Sequence, residues 1–111
     1  MGENRQLIID CDVHNAIRRP QDLLPFLPKA WHDQWLNSGI GVPPLYYSPI
    51  GVMRRDAAPA EGVPPGSDPK FLIQHHLDKY GIDVAILTGS GVLGISLHPD
   101  PDYANAVVSA Y

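Results

Sequence analysis

Cysteine is nearly absent from this 111-residue chain: Cys11 stands alone, so no internal disulfide can form. That fits a reducing, cytoplasmic setting, where thiols stay unpaired. Basic residues are also scarce. Eight Lys and Arg stand against twelve Asp and Glu, the net charge is −4, and no basic run occurs. No nucleic-acid partner and no anionic membrane surface is expected, because both require a clustered positive field. No window approaches the roughly 18 consecutive apolar residues of a membrane span. The polar start, Met1 to Gln6, is followed by an apolar run that stops at Asp10, so no signal peptide is expected. Hydrophobic residues make up 44% and charged residues 18%, which excludes a disordered acidic tail and fits a globular protein.

Proline and glycine, by contrast, are abundant, at twelve and ten. They cluster between Gly39 and Pro69, a stretch of 31 residues with seven prolines and five glycines. Structureless loops beyond about 12–15 residues are uncommon inside compact domains and usually serve as lids or binding loops, or are disordered. The length allows at most one domain, and no internal repeat is present. Either the stretch is not all loop, or, as the better account, it belongs to something larger than 111 residues.

Flanking the loop, the signals are regular. Leu7-Ile8-Ile9 runs into Asp10-Cys11-Asp12-Val13-His14, a strand that begins apolar and then alternates. Pro20 stops it. Pro28 suits the first turn of a helix, with Trp31 and Trp35 four apart and Gly39 at its end. Ser67-Asp68-Pro69 opens another helix with Ile73, Leu77 and Tyr80 as its apolar stripe and Gly81 as its stop. Ile82 to Thr88 reads as a short apolar strand, buried on both faces as in a parallel sheet. Asp100-Pro101 opens a last helix whose apolar positions include Ala104, Val107, Val108 and Tyr111. This order predicts an α/β protein. Because the last helix ends on the apolar Tyr111 without a cap, the chain reads as the opening part of a larger domain.

The sharpest chemical signal is Asp10-x-Asp12-x-His14. Residues i, i+2 and i+4 of a strand share a face. Two carboxylates and an imidazole together are costly unless a cation compensates them, and Asp oxygen with His nitrogen suits a divalent metal. A strand end emerging into solvent would carry the same pattern. Asp10 reads as a carboxylate supporting a ligand from behind, or as a structural hydrogen-bond acceptor. Cys11 alternates to the opposite face, towards the helices, as a small buried apolar residue.

Ile8-Ile9-Asp10-Cys11-Asp12-Val13-His14 resembles the opening strand of the amidohydrolase superfamily. More narrowly, it resembles the amidohydrolase-related group that includes aminocarboxymuconate-semialdehyde decarboxylase and the resorcylate-type decarboxylases. The likeness continues through Leu24 to Trp31, Tyr80 to Leu87, and Pro101-Asp102-Tyr103-Ala104-Asn105, covering most of the chain outside the long loop. The resemblance implies a (β/α)8 barrel with one divalent metal, zinc or else manganese, at its C-terminal face. It implies Asp12 and His14 as first-strand ligands, with the remaining ligands and the catalytic acid on later strands. Asp12 stands where a first histidine would be in the His-x-His form, which leans towards the decarboxylase-like branch without excluding a hydrolase. A whole barrel needs about 250 residues. The chain is thus expected to be one partial domain, residues 1–111, supplying the first two β/α units and the long loop at 39–69.

Other motifs carry less. Gly89-Ser90-Gly91-Val92-Leu93-Gly94 matches a dinucleotide fingerprint, but Pro99 and Pro101 forbid a crossover helix running on from it. A flexible active-site loop at the end of the second strand is the better account, and no cofactor besides the metal is expected. His75 and His76 are adjacent on a helix and point about 100° apart, so they are read as surface or boundary residues. His32 is read as structural. His98 lies close enough to the second strand-end loop to approach a substrate. Arg18-Arg19 and Arg54-Arg55 are read as solvated surface, with carboxylate binding as the alternative. The expected partner is a small-molecule substrate, and open strand edges point to a homo-oligomer. The rival reading is a non-enzymatic α/β module that docks onto a partner chain.

Overall fold

The computed structural model describes residues 5–40 and 54–111. Strand β1 spans Ile9–Val13 and strand β2 spans Val84–Leu87, and the two pair in parallel. Parallel neighbours need a long crossover, and here it carries helices. Helix α1 is His32–Ser38; α2 is Pro69–Leu72 and runs on into a π-helical turn at Ile73–Asp78. Helix α3 is Pro101–Ala110. Among the described residues the chain mixes helices with a two-stranded parallel sheet, an arrangement compatible with the α/β class.

Local chemistry accounts for the helix ends. Asp68 and Asp100 accept hydrogen bonds from the first-turn N–H groups of α2 and α3, each followed by proline. Gly39 and Gly81 end α1 and the π turn with φ of 55° and 65°, in the left-handed region where a side chain would be strained. β1 ends at Val13, well before Pro20, which opens a 3-10 helix, Pro20–Phe26.

The core lies among the helices. Leu23, Leu27, Trp35, Ile95, Tyr103 and Val107 are buried together, with Trp31, Ala104 and Tyr111 packed against them. The Trp35 indole N–H donates to the Pro20 carbonyl at 2.7 Å, tying α1 to the 3-10 helix. On α3 the inward face is Tyr103 and Val107, spaced i, i+4; Val108 is half exposed.

Three expectations need correction. β2 is not buried on both faces: Val84, Ile86 and Leu87 are 44–57% exposed. The helices pack on one another rather than over the sheet, which among the described residues has two strands. Cys11 is exposed for the same reason. The stripe Ile73, Leu77, Tyr80 does not seal α2, since Ile73 and Tyr80 are about half exposed. A π turn is wider than an α turn, so it rotates the residues after it away from an i, i+4 stripe. Among the described residues no helix is long and apolar enough to cross a membrane.

Leu7, Ile8, Ile9, Ile86 and Leu87 are each about half exposed or more, on or just before a sheet that has two strands among the described residues. Such a surface drives association. Light scattering after size-exclusion chromatography is expected to return a mass above that of one chain. A monodisperse single-chain mass with a cooperative thermal transition would contradict this.

Candidate functional site

β1 and β2 end side by side, and their C-terminal ends carry Asp12, His14 and Thr88. The register places Ile9 opposite Val84 and Asp10 opposite Ala85, but Val13 opposite Leu87, so β1 carries one extra residue there. A β-bulge of this kind re-aims the side chains that follow it. It separates the three polar residues expected on one face. Val13 turns into the interior at 6% exposure, while the Asp12 N–H donates to Asp10 Oδ1 at 3.1 Å.

Asp10 faces the crossover. His76 Nε2 on the π turn donates to Asp10 Oδ2 at 2.8 Å. The hydrogen bond from His76, with that from the Asp12 N–H, holds the Asp10 carboxyl below the usual aspartate range. His76 also borders a cavity of about 70 Å³ lined by Arg54, Asp68, Phe71 and His75. His76 as the partner of Asp10 is not visible in the sequence. The π turn that aims it has no simple residue signature.

Asp12 and His14 come together instead. His14 Nε2 lies 3.5 Å from Asp12 Oδ1, beyond hydrogen-bonding range, with the Asp12 side chain 76% and the His14 side chain 35% exposed. Thr88 touches both. Its carbonyl oxygen is 3.0 Å from His14 Nδ1, and its hydroxyl donates to Asp12 Oδ1 at 3.0 Å. Parallel pairing is what brings residue 88 to residues 12 and 14. A threonine directly after an apolar strand was the one signal available beforehand.

The backbone behind the pair is clamped. The Asn15 carbonyl accepts from the Ser90 N–H at 3.0 Å, the Ser90 hydroxyl at 3.1 Å and the Tyr111 hydroxyl at 2.8 Å. The Ala16 N–H donates to the Gly66 carbonyl at 3.0 Å, so the end of the Pro/Gly-rich segment is seated on the β1 terminus. The remainder of that segment, 41–53, falls outside the described residues. Gly89-Ser90-Gly91 forms a 3-10 turn with Val92, a second follows at Ile95–Leu97, and the next α-helix starts only at Pro101.

The other candidates have local partners. His98 Nδ1 accepts from the Asp100 N–H at 3.0 Å and the ring packs on Tyr103; among the described residues it makes no hydrogen bond to Asp12 or His14. His32 donates to the Leu27 carbonyl at 2.8 Å. Arg19 pairs with Asp22 at 2.7 Å, Arg18 approaches Asp68 at 3.8 Å, and Arg54 is held by Asp56.

The Asp12–His14 pair suits a divalent cation in donor type: a carboxylate oxygen and an imidazole nitrogen, both open to solvent and both oriented by a neighbour. Among the described residues no group of three or more His, Cys, Asp or Glu converges on one point, so these two side chains do not by themselves make a coordination shell. No family model matches the chain, and no curated protein matches it.

Proposed function

We propose that the chain is the N-terminal part of a metal-dependent (β/α)8 enzyme of the amidohydrolase-related kind, contributing the first two β/α units. Its reaction would be hydrolysis or non-oxidative decarboxylation of a small carboxylate-bearing compound in the cytoplasm. One observation carries the reading. Two ligands about 2.1 Å from a tetrahedral zinc ion lie about 3.4 Å apart, and Asp12 Oδ1 and His14 Nε2 are 3.5 Å apart at the C-terminal end of adjacent parallel strands. That end is where barrel enzymes carry their chemistry.

Asp12 and His14 would hold the cation, zinc or alternatively manganese, with further ligands from later strands. When bound, it supplies Lewis-acid polarisation and water activation. Asp10 fixes the backbone of Asp12 by accepting its N–H, and His76 fixes Asp10 in turn. The chain's own residues thus present the ligands, while the groups that move protons on the substrate would come from elsewhere in the barrel.

The test is metal content. In the full-length protein, Asp12→Ala and His14→Ala are each expected to lower bound zinc or manganese at least tenfold, read by elemental analysis after dialysis against the metal; residues 1–111 alone should bind weakly, because two ligands do not complete a four-coordinate site. Unchanged stoichiometry in both variants refutes the assignment. A second reading, a non-enzymatic module docking onto a partner chain, draws on the exposed apolar sheet surface. It predicts that the same two substitutions leave partner capture and metal content alike unaffected.

A further inference from the structure

The protons of the strand-end cluster can be assigned from the acceptors alone. A backbone carbonyl has no proton to give. The 3.0 Å contact between His14 Nδ1 and the Thr88 carbonyl is therefore a hydrogen bond only if Nδ1 carries the proton. In the neutral ring the lone pair then lies on Nε2, the nitrogen that faces Asp12 at 3.5 Å. The Thr88 hydroxyl lies 3.0 Å from Asp12 Oδ1 and 3.2 Å from His14 Nδ1. Its single proton goes to the carboxylate, and its oxygen shares the Nδ1–H with the carbonyl. Every proton has one place.

We propose that Thr88 is the positioning residue of this site: its carbonyl sets the His14 tautomer and its hydroxyl holds the Asp12 carboxylate, so that both candidate ligands face the same point. The inference rests on the metal reading for its consequence but not for its geometry. Thr88 is fixed independently of the pair, because its N–H donates to the Val13 carbonyl at 2.8 Å across the sheet. The segment after it is held by Ser90 on the Asn15 carbonyl and by Tyr111, whose ring lies where a Cβ on Gly89 would stand, 2.3 Å away. The glycine motif after β2 therefore leaves room for an aromatic ring to pack against the strand end. Groups that orient metal-binding histidines and carboxylates from behind typically change affinity 10–100-fold when removed.

The experiment has two readouts. In the metal-free wild-type protein, long-range ¹⁵N–¹H correlation at a pH where His14 is neutral should show the Nδ1–H tautomer; a dominant Nε2–H tautomer overturns the proposal. Zinc titrations of the full-length protein should then give at least a tenfold weaker apparent Kd for Thr88→Val and a value within about twofold of wild type for Thr88→Ser. Wild-type affinity in Thr88→Val, with the helical circular dichroism unchanged, also overturns it. Absence of zinc binding by the wild-type full-length protein, which carries the later-strand ligands, would sink the metal reading instead. In that case the tautomer, measured without metal, decides the positioning role, as it does if Thr88→Val fails to fold.

Discussion

Tyr103→Ala is expected to remove about 3–5 kcal/mol of folding stability, the cost of deleting a large aromatic from a closed core. Tyr103 is fully buried, at 0% exposure, and sits where α3 meets α1 and the turn before it. Its ring meets Trp31 edge-on at 5.4 Å between centroids and His98 at 4.8 Å. Its hydroxyl donates to the Gly39 carbonyl, just past the end of α1. The ring and the hydroxyl can be separated. Tyr103→Phe keeps the packing and is expected to cost only about 1 kcal/mol for the hydrogen bond. Urea unfolding of the two variants checks this; equal losses in both would mean that the ring is not what closes the core. Burial pushes the Tyr103 hydroxyl above the ordinary tyrosine value of 10.0. The folded state therefore holds this proton more tightly than the unfolded chain does. The stabilisation is complete below the unfolded value and falls away as pH rises through the folded one.

Gly66→Ala is the second large effect, expected at about 2–4 kcal/mol. Gly66 has φ +76°, and a Cβ there would stand 2.3 Å from the His14 carbonyl oxygen and 3.2 Å from Asn15 Cα. Both are backbone atoms, so no side-chain rotation relieves the contact. Gly62 provides the control. It has the same φ of +76° with nothing within 4 Å of its Cβ position. Gly62→Ala should therefore show only the left-handed strain, about 1–2 kcal/mol. The difference between the two measures how firmly the Pro/Gly-rich segment is seated on the β1 terminus. Hydrogen exchange at the Ala16 amide, which donates to the Gly66 carbonyl, should accelerate in Gly66→Ala and not in Gly62→Ala. Equal effects on stability and exchange would contradict the seating.

Much of the local structure was legible because its causes are local. Asp68-Pro69 and Asp100-Pro101 open α2 and α3 by presenting a carboxylate to two N–H groups and a ring already bent to the helical φ. Gly39 and Gly81 end helical segments because only glycine takes the left-handed turn without strain. The strands at 9–13 and 84–87 lie inside the stretches expected to be extended, 7–14 with its apolar start and alternation and 82–88 with its short apolar run. What the sequence misjudged was burial. Apolar runs announce a strand, but whether Val84 or Cys11 is covered depends on which helices pack over it.

By itself the sequence determined the helix caps and the positions of the main strands and helices, since each depends on neighbours within a few positions, and it marked Asp10, Asp12 and His14 as candidates. The grouping of those residues was decided only by the tertiary structure. Strict alternation puts Asp10, Asp12 and His14 on one face, but the one-residue bulge against β2 sends Asp10 to His76 and leaves Asp12 with His14. Thr88, 74 positions from His14 in the chain, joins them because parallel pairing brings the two strand ends together. The π turn swings His76 to a partner 66 positions away. Contacts of that separation are set by strand register and helix twist, which no short window of residues encodes.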